Sequence, residues 1–224
     1  MLVTIPNVLN KEDIAVIQDL MATANFHAGE HSAGIEAKRV KNNHEMFISE
    51  VETQRLNNLV MGKLIKNPTY IATAFAAKIA APYYAKYSAG MSYGNHVDDP
   101  VMGPPNQRYR SDISITLFLN SPDDYKGGEL IINTAFGEQA VKLNAGDAVL
   151  YPSSSTHRVA EVTEGERLVA VTWLQSTVRD PARREILYNL SQARESLLNT
   201  SPESELLQQV SNSYVNLLRM WTDI

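Results

Sequence analysis

The chain has 224 residues, 44% hydrophobic and 20% charged, with a formal net charge of −5 and no cysteine. That composition fits one medium-sized globular domain with a real core, and it excludes disulfides, thiolate metal sites and cysteine nucleophiles. Lysines and arginines are scattered, so nucleic acid is not an expected partner. No run approaches the ~18 apolar residues of a membrane span, and the N-terminus lacks the basic-then-apolar form of a secretory signal; a cytoplasmic protein without membrane attachment is expected.

Asn10 is placed to cap a helix, with Glu12 and Asp13 in its first turn. Ile14, Ile17, Leu20, Met21 and Ala24 then recur at helical spacing. A polar stretch at 27–43 follows; His27, His31 and nearby His44 have no alternating partners and read as surface residues. Ser49-Glu50-Val51-Glu52 has the form of a capping box and opens a helix with Leu56, Leu59, Val60 and Leu64 on one face. Asn67-Pro68 is expected to end it.

From about residue 82 to residue 175, short segments rich in Val, Ile, Tyr, Phe and Thr alternate with turn signals. The expected strands are 83–87, 92–98, 112–119, 129–132, 138–142, 148–151, 157–162 and 168–174, with Glu164-Gly165 among the turns. Short strands at such regular intervals predict a two-sheet jelly roll rather than a parallel α/β sheet. The connection 99–110 carries Pro100, Gly103, Pro104 and Pro105 and has the length of a functional lid. Arg108 and Arg110 at its end read as solvated charges, and Trp173 as a core residue.

Asp180-Pro181 and Ser201-Pro202 each look like an N-cap followed by a proline at the first helical position. The first helix has a stripe of Ile186, Leu190, Ala193 and Leu197; the second has Leu207, Val210, Tyr214, Leu217 and Trp221 on one face. These helices either cover the β core or contribute to a homo-oligomer interface. The expected class is α+β: a double-stranded β-helix (jelly-roll) core with N-terminal helices packed on it and a C-terminal helical appendage. One domain spans 1–177, with helices over 1–77 and the jelly roll over 78–177, and a helical segment spans 178–224.

The chemistry centres on His96-Val97-Asp98. In a strand, residues i and i+2 share a side, so His96 and Asp98 can reach one ion while Val97 and Asp99 face away. His157, at the start of a later strand, supplies a second imidazole. Two histidines and one carboxylate can hold a non-haem Fe(II) and leave the opposite positions open. Arg167, which begins the next apolar strand, can anchor a dicarboxylate through a bidentate contact. Gly127-Gly128 allows close backbone approach nearby.

The ordered series Tyr87 to Asp98, Leu117-Phe118-Leu119-Asn120, Tyr125 to Leu130, Tyr151-Pro152, His157-Arg158-Val159 and Gly165-Glu166-Arg167 resembles the Fe(II)/2-oxoglutarate-dependent dioxygenases of the prolyl-4-hydroxylase-like branch, and within it the bacterial PKHD-type hydroxylases. The resemblance continues through Val178-Arg179-Asp180, Arg183 and Leu187-Tyr188. It implies His96, Asp98 and His157 as iron ligands, Arg167 as the anchor for the distal carboxylate of 2-oxoglutarate, and Tyr87 as a tyrosine near the co-substrate. A second pocket tyrosine of some relatives falls at Phe118, which has no hydroxyl, so more of the anchoring rests on Arg167. The implied activity couples oxidative decarboxylation of 2-oxoglutarate to hydroxylation of a small-molecule or peptide substrate by dioxygen, with ascorbate as reductant. The competing reading is a non-catalytic, cupin-like metal-binding or sensing module, which would have no use for a carboxylate anchor at Arg167.

Overall fold

The computed structural model describes every residue except Ala33 and Ile224, with His31 described by its backbone alone. The chain opens with β1 (Val3–Ile5) and α1 (Lys11–Thr23). Asn10 caps α1 through a reciprocal capping box with Asp13. Then come β2 (Asn25–Ala28), β3 (Lys41–Asn42) and β4 (His44–Phe47), so the polar stretch is partly sheet and not simply loop. Their few side chains alternate too briefly to give a strand signal, and distant partners hold them in place.

The expected capping box at Ser49 opens α2 (Glu50–Leu64). Asn67-Pro68 does more than end it: the Asn67 side chain accepts from the backbone of Thr69 and Tyr70, and Pro68 sits at the start of α3 (Pro68–Ala74). Proline lacks only an amide hydrogen that the first helical turn leaves unused, so one dipeptide both stops and starts a helix. Next are β5 (Ala76–Ile79), β6 (Tyr83–Ser88) and β7 (Ser92–His96). Within the 99–110 connection, β8 (Val101–Met102) and β9 (Tyr109–Arg110) form a small hairpin.

The remaining core strands are β10 (Ile113–Phe118), β11 (Tyr125–Gly127), β12 (Leu130–Thr134), β13 (Gly137–Val141), β14 (Ala148–Pro152), β15 (His157–Val159) and β16 (Val162–Ser176). β16 runs straight through the expected turn at Glu164-Gly165. Gly165 has φ +74° and lets the Asp124 carbonyl of the adjoining chain approach where a Cβ would stand, so the glycine marks a close contact within a strand.

Among the described residues, nine strands form the larger sheet and five the smaller, and the pairings are antiparallel. The larger has the order β1-β14-β10-β16-β6-β4-β2, with β11 and β5 also on β16; the smaller has the order β13-β12-β15-β7-β3. This is the expected jelly roll. Within the larger sheet, β10 is buried on both faces. Ile113, Ile115 and Leu117 join Ile14, Ile17, Leu56, Val60 and Leu64 in a core between the larger sheet and helices α1 and α2. Phe118 points the other way, into a second core between the sheets with Leu130, Ile132, Val159 and Val169.

The tail forms α4 (Pro181–Thr200) and α5 (Glu205–Trp221). α4 begins as expected under the Asp180 cap, but α5 is capped by Ser204 rather than Ser201. The inward face of α4 is also rotated from the expected stripe: Ile186 is exposed, whereas Leu187 and Arg184 are buried. Arg184 donates to the carbonyls of Val178 and Arg179, which lets its guanidinium share the inward face with Leu187. α4 packs on α3 and α5, and Arg183 and Arg194 lie over the rings of Trp221 and Tyr214.

Candidate metal centre and anion pocket

His96 and His157 are direct cross-strand neighbours on β7 and β15, next to a bulge in that ladder. Their rings are 4.2 Å apart between centroids. Asp98 lies two residues beyond the end of β7, so the ladder is shorter than the expected strand, which ran to Asp98. The alternation of burial continues past the ladder, with His96 and Asp98 half-buried and Val97 and Asp99 exposed, and Asp98 Oδ1 lies 3.9 Å from His96 Nε2 and 3.8 Å from His157 Nε2. Asp98 rather than Asp99 is therefore the carboxylate at the site.

Those separations exceed a hydrogen bond and suit three donors sharing one ion; one ligand atom from each residue lies within 4.8 Å of the others. Each imidazole is already oriented. His96 Nδ1 is 2.8 Å from the Gly94 carbonyl and His157 Nδ1 is 3.0 Å from the Ser155 carbonyl. A carbonyl only accepts, so each Nδ1 carries the proton and each Nε2 offers a lone pair to the centre. Burial, with facing His157 as the second cause, pushes the His96 imidazole down to about 4, which keeps it neutral and ligand-competent at neutral pH. The Tyr93 ring stacks on His96 at 3.6 Å between centroids.

Arg167 projects into the same cavity from β16. It is 1% exposed, and among the described residues it has no salt bridge and its Nε has no hydrogen-bond partner. Its guanidinium carbon lies 5.1 Å from the Tyr87 ring centroid and 5.6 Å from that of Phe118. Burial pushes the Tyr87 hydroxyl up to about 12, with Arg167 and Asn43 acting against the shift. A buried cation without a counter-charge is strongly unfavourable, so this arrangement fits an anionic ligand. Gly128, at φ +67°, admits the arginine: a Cβ there would lie 3.1 Å from Arg167 Cδ.

The cavity joining the two features is about 1120 Å³. The hairpin β8–β9 lines its mouth with Val101, Met102 and Tyr109. Trp173 lines it too, edge-on to Tyr83 at 5.9 Å, rather than sitting in the core. Arg110 is not a solvated charge: it forks onto Asp112 at 2.6 and 2.9 Å and donates to the Ser176 carbonyl. Arg108 is exposed, as is His27, and His44 is half-buried; the reading of His31 falls outside the described side chains.

Sequence reasoning missed one wall of the cavity. The segment β3–β4 crosses from the smaller sheet to the larger and places Lys41, Asn43 and Glu45 along it. Lys41 Nζ and Ser32 Oγ each lie 2.6 Å from Glu45 Oε1. Ser114 and Ser153, also missed, lie behind Asp98. Ser114 could have been found from the two hydroxyls, Ser114 and Thr116, that alternate with Ile113, Ile115 and Leu117 in β10; Lys41 and Glu45 carry no such local sign.

Two family models match. The 2OG-Fe(II) oxygenase superfamily covers residues 82–175, and the PKHD-type hydroxylase C-terminal domain covers residues 181–223. A PKHD-type hydroxylase of Thioalkalivibrio sulfidiphilus is 50% identical over 224 residues, all of both chains. The chain belongs to the PKHD-type hydroxylase family. Another PKHD-type hydroxylase, from Acaryochloris marina, is 44% identical over 223 residues, again all of both chains. Among solved structures, a 2OG-Fe(II) oxygenase-family oxidoreductase from Burkholderia pseudomallei superposes with a TM-score of 0.60 at 15% identity, over 78% of this chain and 85% of the other. A Pseudomonas putida prolyl-4-hydroxylase gives 0.52 at 19% identity, over 78% and 92%. These two show the shared fold. As a PKHD-type hydroxylase, the protein is a 2-oxoglutarate-dependent dioxygenase that uses Fe(II). Among its described residues no helix is long and apolar enough to cross a membrane.

Proposed function

We propose that His96, Asp98 and His157 hold the Fe(II), that Arg167 binds the distal carboxylate of 2-oxoglutarate with Tyr87 beside it, and that the substrate enters past the β8–β9 hairpin. The observation that carries this reading is the buried guanidinium of Arg167, which has no salt bridge among the described residues, in one cavity with three convergent metal donors. Bound there, the iron supplies the oxygen chemistry that converts 2-oxoglutarate to succinate and carbon dioxide and hydroxylates a substrate C–H bond.

The chain's own residues do the rest. Gly94 and Ser155 fix both histidine tautomers. Arg167 orients the co-substrate, and the rings of Tyr87 and Phe118 shield its charge from water. Arg167 is itself 1% exposed, so little water competes for its contacts. In this reading the substrate is a small molecule or a peptide, ascorbate is the reductant, and the protein works in the cytoplasm as one catalytic domain, 1–177, with a helical segment, 178–224.

The C-terminal helices are the homo-oligomer contact of this reading, because Leu198, Leu206, Val215 and Met220 on α4 and α5 are exposed. Anaerobic addition of Fe(II) and 2-oxoglutarate tests the central assignment. A visible charge-transfer band in the wild type that is lost in His157→Ala is expected; a band unchanged by that substitution would overturn the ligand set.

A further inference from the structure

We infer that Ser114, backed by Ser153, holds Asp98 to a single metal-facing oxygen and so keeps a position on the metal open. This rests on the reading of His96, Asp98 and His157 as iron ligands. A carboxylate has two oxygens and can bind a cation through one or both. A face of two histidines and one carboxylate is useful because the opposite positions remain free for co-substrate and oxygen. A second carboxylate oxygen on the metal would take one of them.

The two oxygens of Asp98 are already differentiated. Oδ1 faces both histidine Nε2 atoms. Oδ2 accepts a hydrogen bond from the Ser114 hydroxyl. Behind it, Ser153 Oγ lies 2.8 Å from Ser114 Oγ. Ser114 is 0% exposed and Ser153 2%, so neither hydroxyl is present for solvation. A buried hydroxyl is unfavourable unless bonded, and here the bonding of Ser114 ends on the proposed ligand.

The placement is also consistent with such a role. Asp98 follows the end of β7 in the smaller sheet, outside the ladder, so no strand pairing fixes its orientation. Ser114 stands on β10 of the larger sheet, with Tyr151 and Trp173 as its ladder partners. The hydrogen bond is thus a strut from one sheet to the other that ends at the metal face. Ser114 is a positioning residue: it acts through Asp98 and touches neither substrate nor co-substrate.

The test uses the full chain, metal-free, titrated anaerobically with Co(II), which reports its coordination by visible absorption. Ser114→Ala should weaken Co(II) binding roughly 10- to 100-fold, the range for loss of a ligand's outer partner, and alter the Co(II) spectrum. At saturating Co(II) it should also weaken 2-oxoglutarate binding, because the freed oxygen competes for a position. Ser114→Thr, which keeps the hydroxyl, should restore both. If Ser114→Ala does not fold, Ser153→Ala replaces it and should shift Co(II) affinity in the same direction. Co(II) binding lost in His157→Ala but equal to wild type in the serine variants, with the same spectrum and 2-oxoglutarate affinity, overturns the inference alone. Wild-type Co(II) binding that survives His157→Ala overturns the ligand reading beneath it.

Discussion

Arg167 and Tyr87 are direct ladder neighbours on β16 and β6, and the guanidinium carbon stands 5.1 Å from the centroid of the tyrosine ring. Packing against the ring stabilises the cation without neutralising it, so its charge remains available to a dicarboxylate. Arg167→Ala should therefore weaken 2-oxoglutarate binding by at least ~100-fold, in the range for truncating one partner of a buried charge pair. Fe(II) affinity should change by less than ~3-fold, because Arg167 contributes no donor to the metal. Anaerobic titrations of each ligand measure the two effects separately; equal losses would make Arg167 a structural residue.

Removing the metal, or one of its ligands, should have the opposite selectivity. Chelation should abolish succinate release, and Fe(II) but not Mg(II) should restore it, since two imidazoles favour a transition metal over a hard oxygen-seeking cation. His157→Ala should not recover with added Fe(II). Succinate formation above background in that variant would show that the cross-strand pair of His157 and His96 is not the catalytic face.

Much of this site was legible because its residues carry local signs. Arg167 begins an apolar strand, and His157 follows a turn, a strand and a proline. Alternation favoured Asp98 over Asp99, and burial does alternate in that sense past the end of the ladder. The ladder stops at His96, and beyond it the Ser114 hydroxyl holds the Asp98 carboxylate. Lys41 and Glu45 could not be read, because their place in the cavity follows from a segment crossing between sheets, with partners at Tyr93 and Ala85 far along the chain. The α4 stripe was misread because the helix buries Arg184, whose partners are backbone carbonyls that leave no mark in the hydrophobic pattern.

His96 gives the metal-free protein a pH dependence. Burial lowers its imidazole from 6.5 to about 4 in the folded state. Between those values the unfolded chain binds more protons, so stability is full above about 6.5 and falls as the pH drops towards about 4. The loss is roughly 2–3 kcal/mol for this one group. Urea unfolding of metal-free wild type and His96→Gln at pH 7 and near pH 4.5 measures it. The wild type should lose more stability than the variant between the two conditions; parallel losses would assign the acid sensitivity to other groups.

Gly128 connects backbone conformation to the anion pocket. Its φ is +67°, and a Cβ there would sit 2.9 Å from Val162 Cγ2, 3.0 Å from Tyr125 Cε2 and 3.1 Å from Arg167 Cδ. Gly128→Ala thus meets both backbone strain and a crowded arginine stem, and should destabilise the protein by ~1–3 kcal/mol. It should also raise KM for 2-oxoglutarate, because the guanidinium can no longer hold its position between Tyr87 and Phe118. Gly137→Ala separates the two effects. Gly137 has φ +101° but open space around its Cβ position, so alanine there should lower Tm while leaving KM for 2-oxoglutarate unchanged. If both variants raised KM alike, general destabilisation would account for the change and the link between Gly128 and Arg167 would fail.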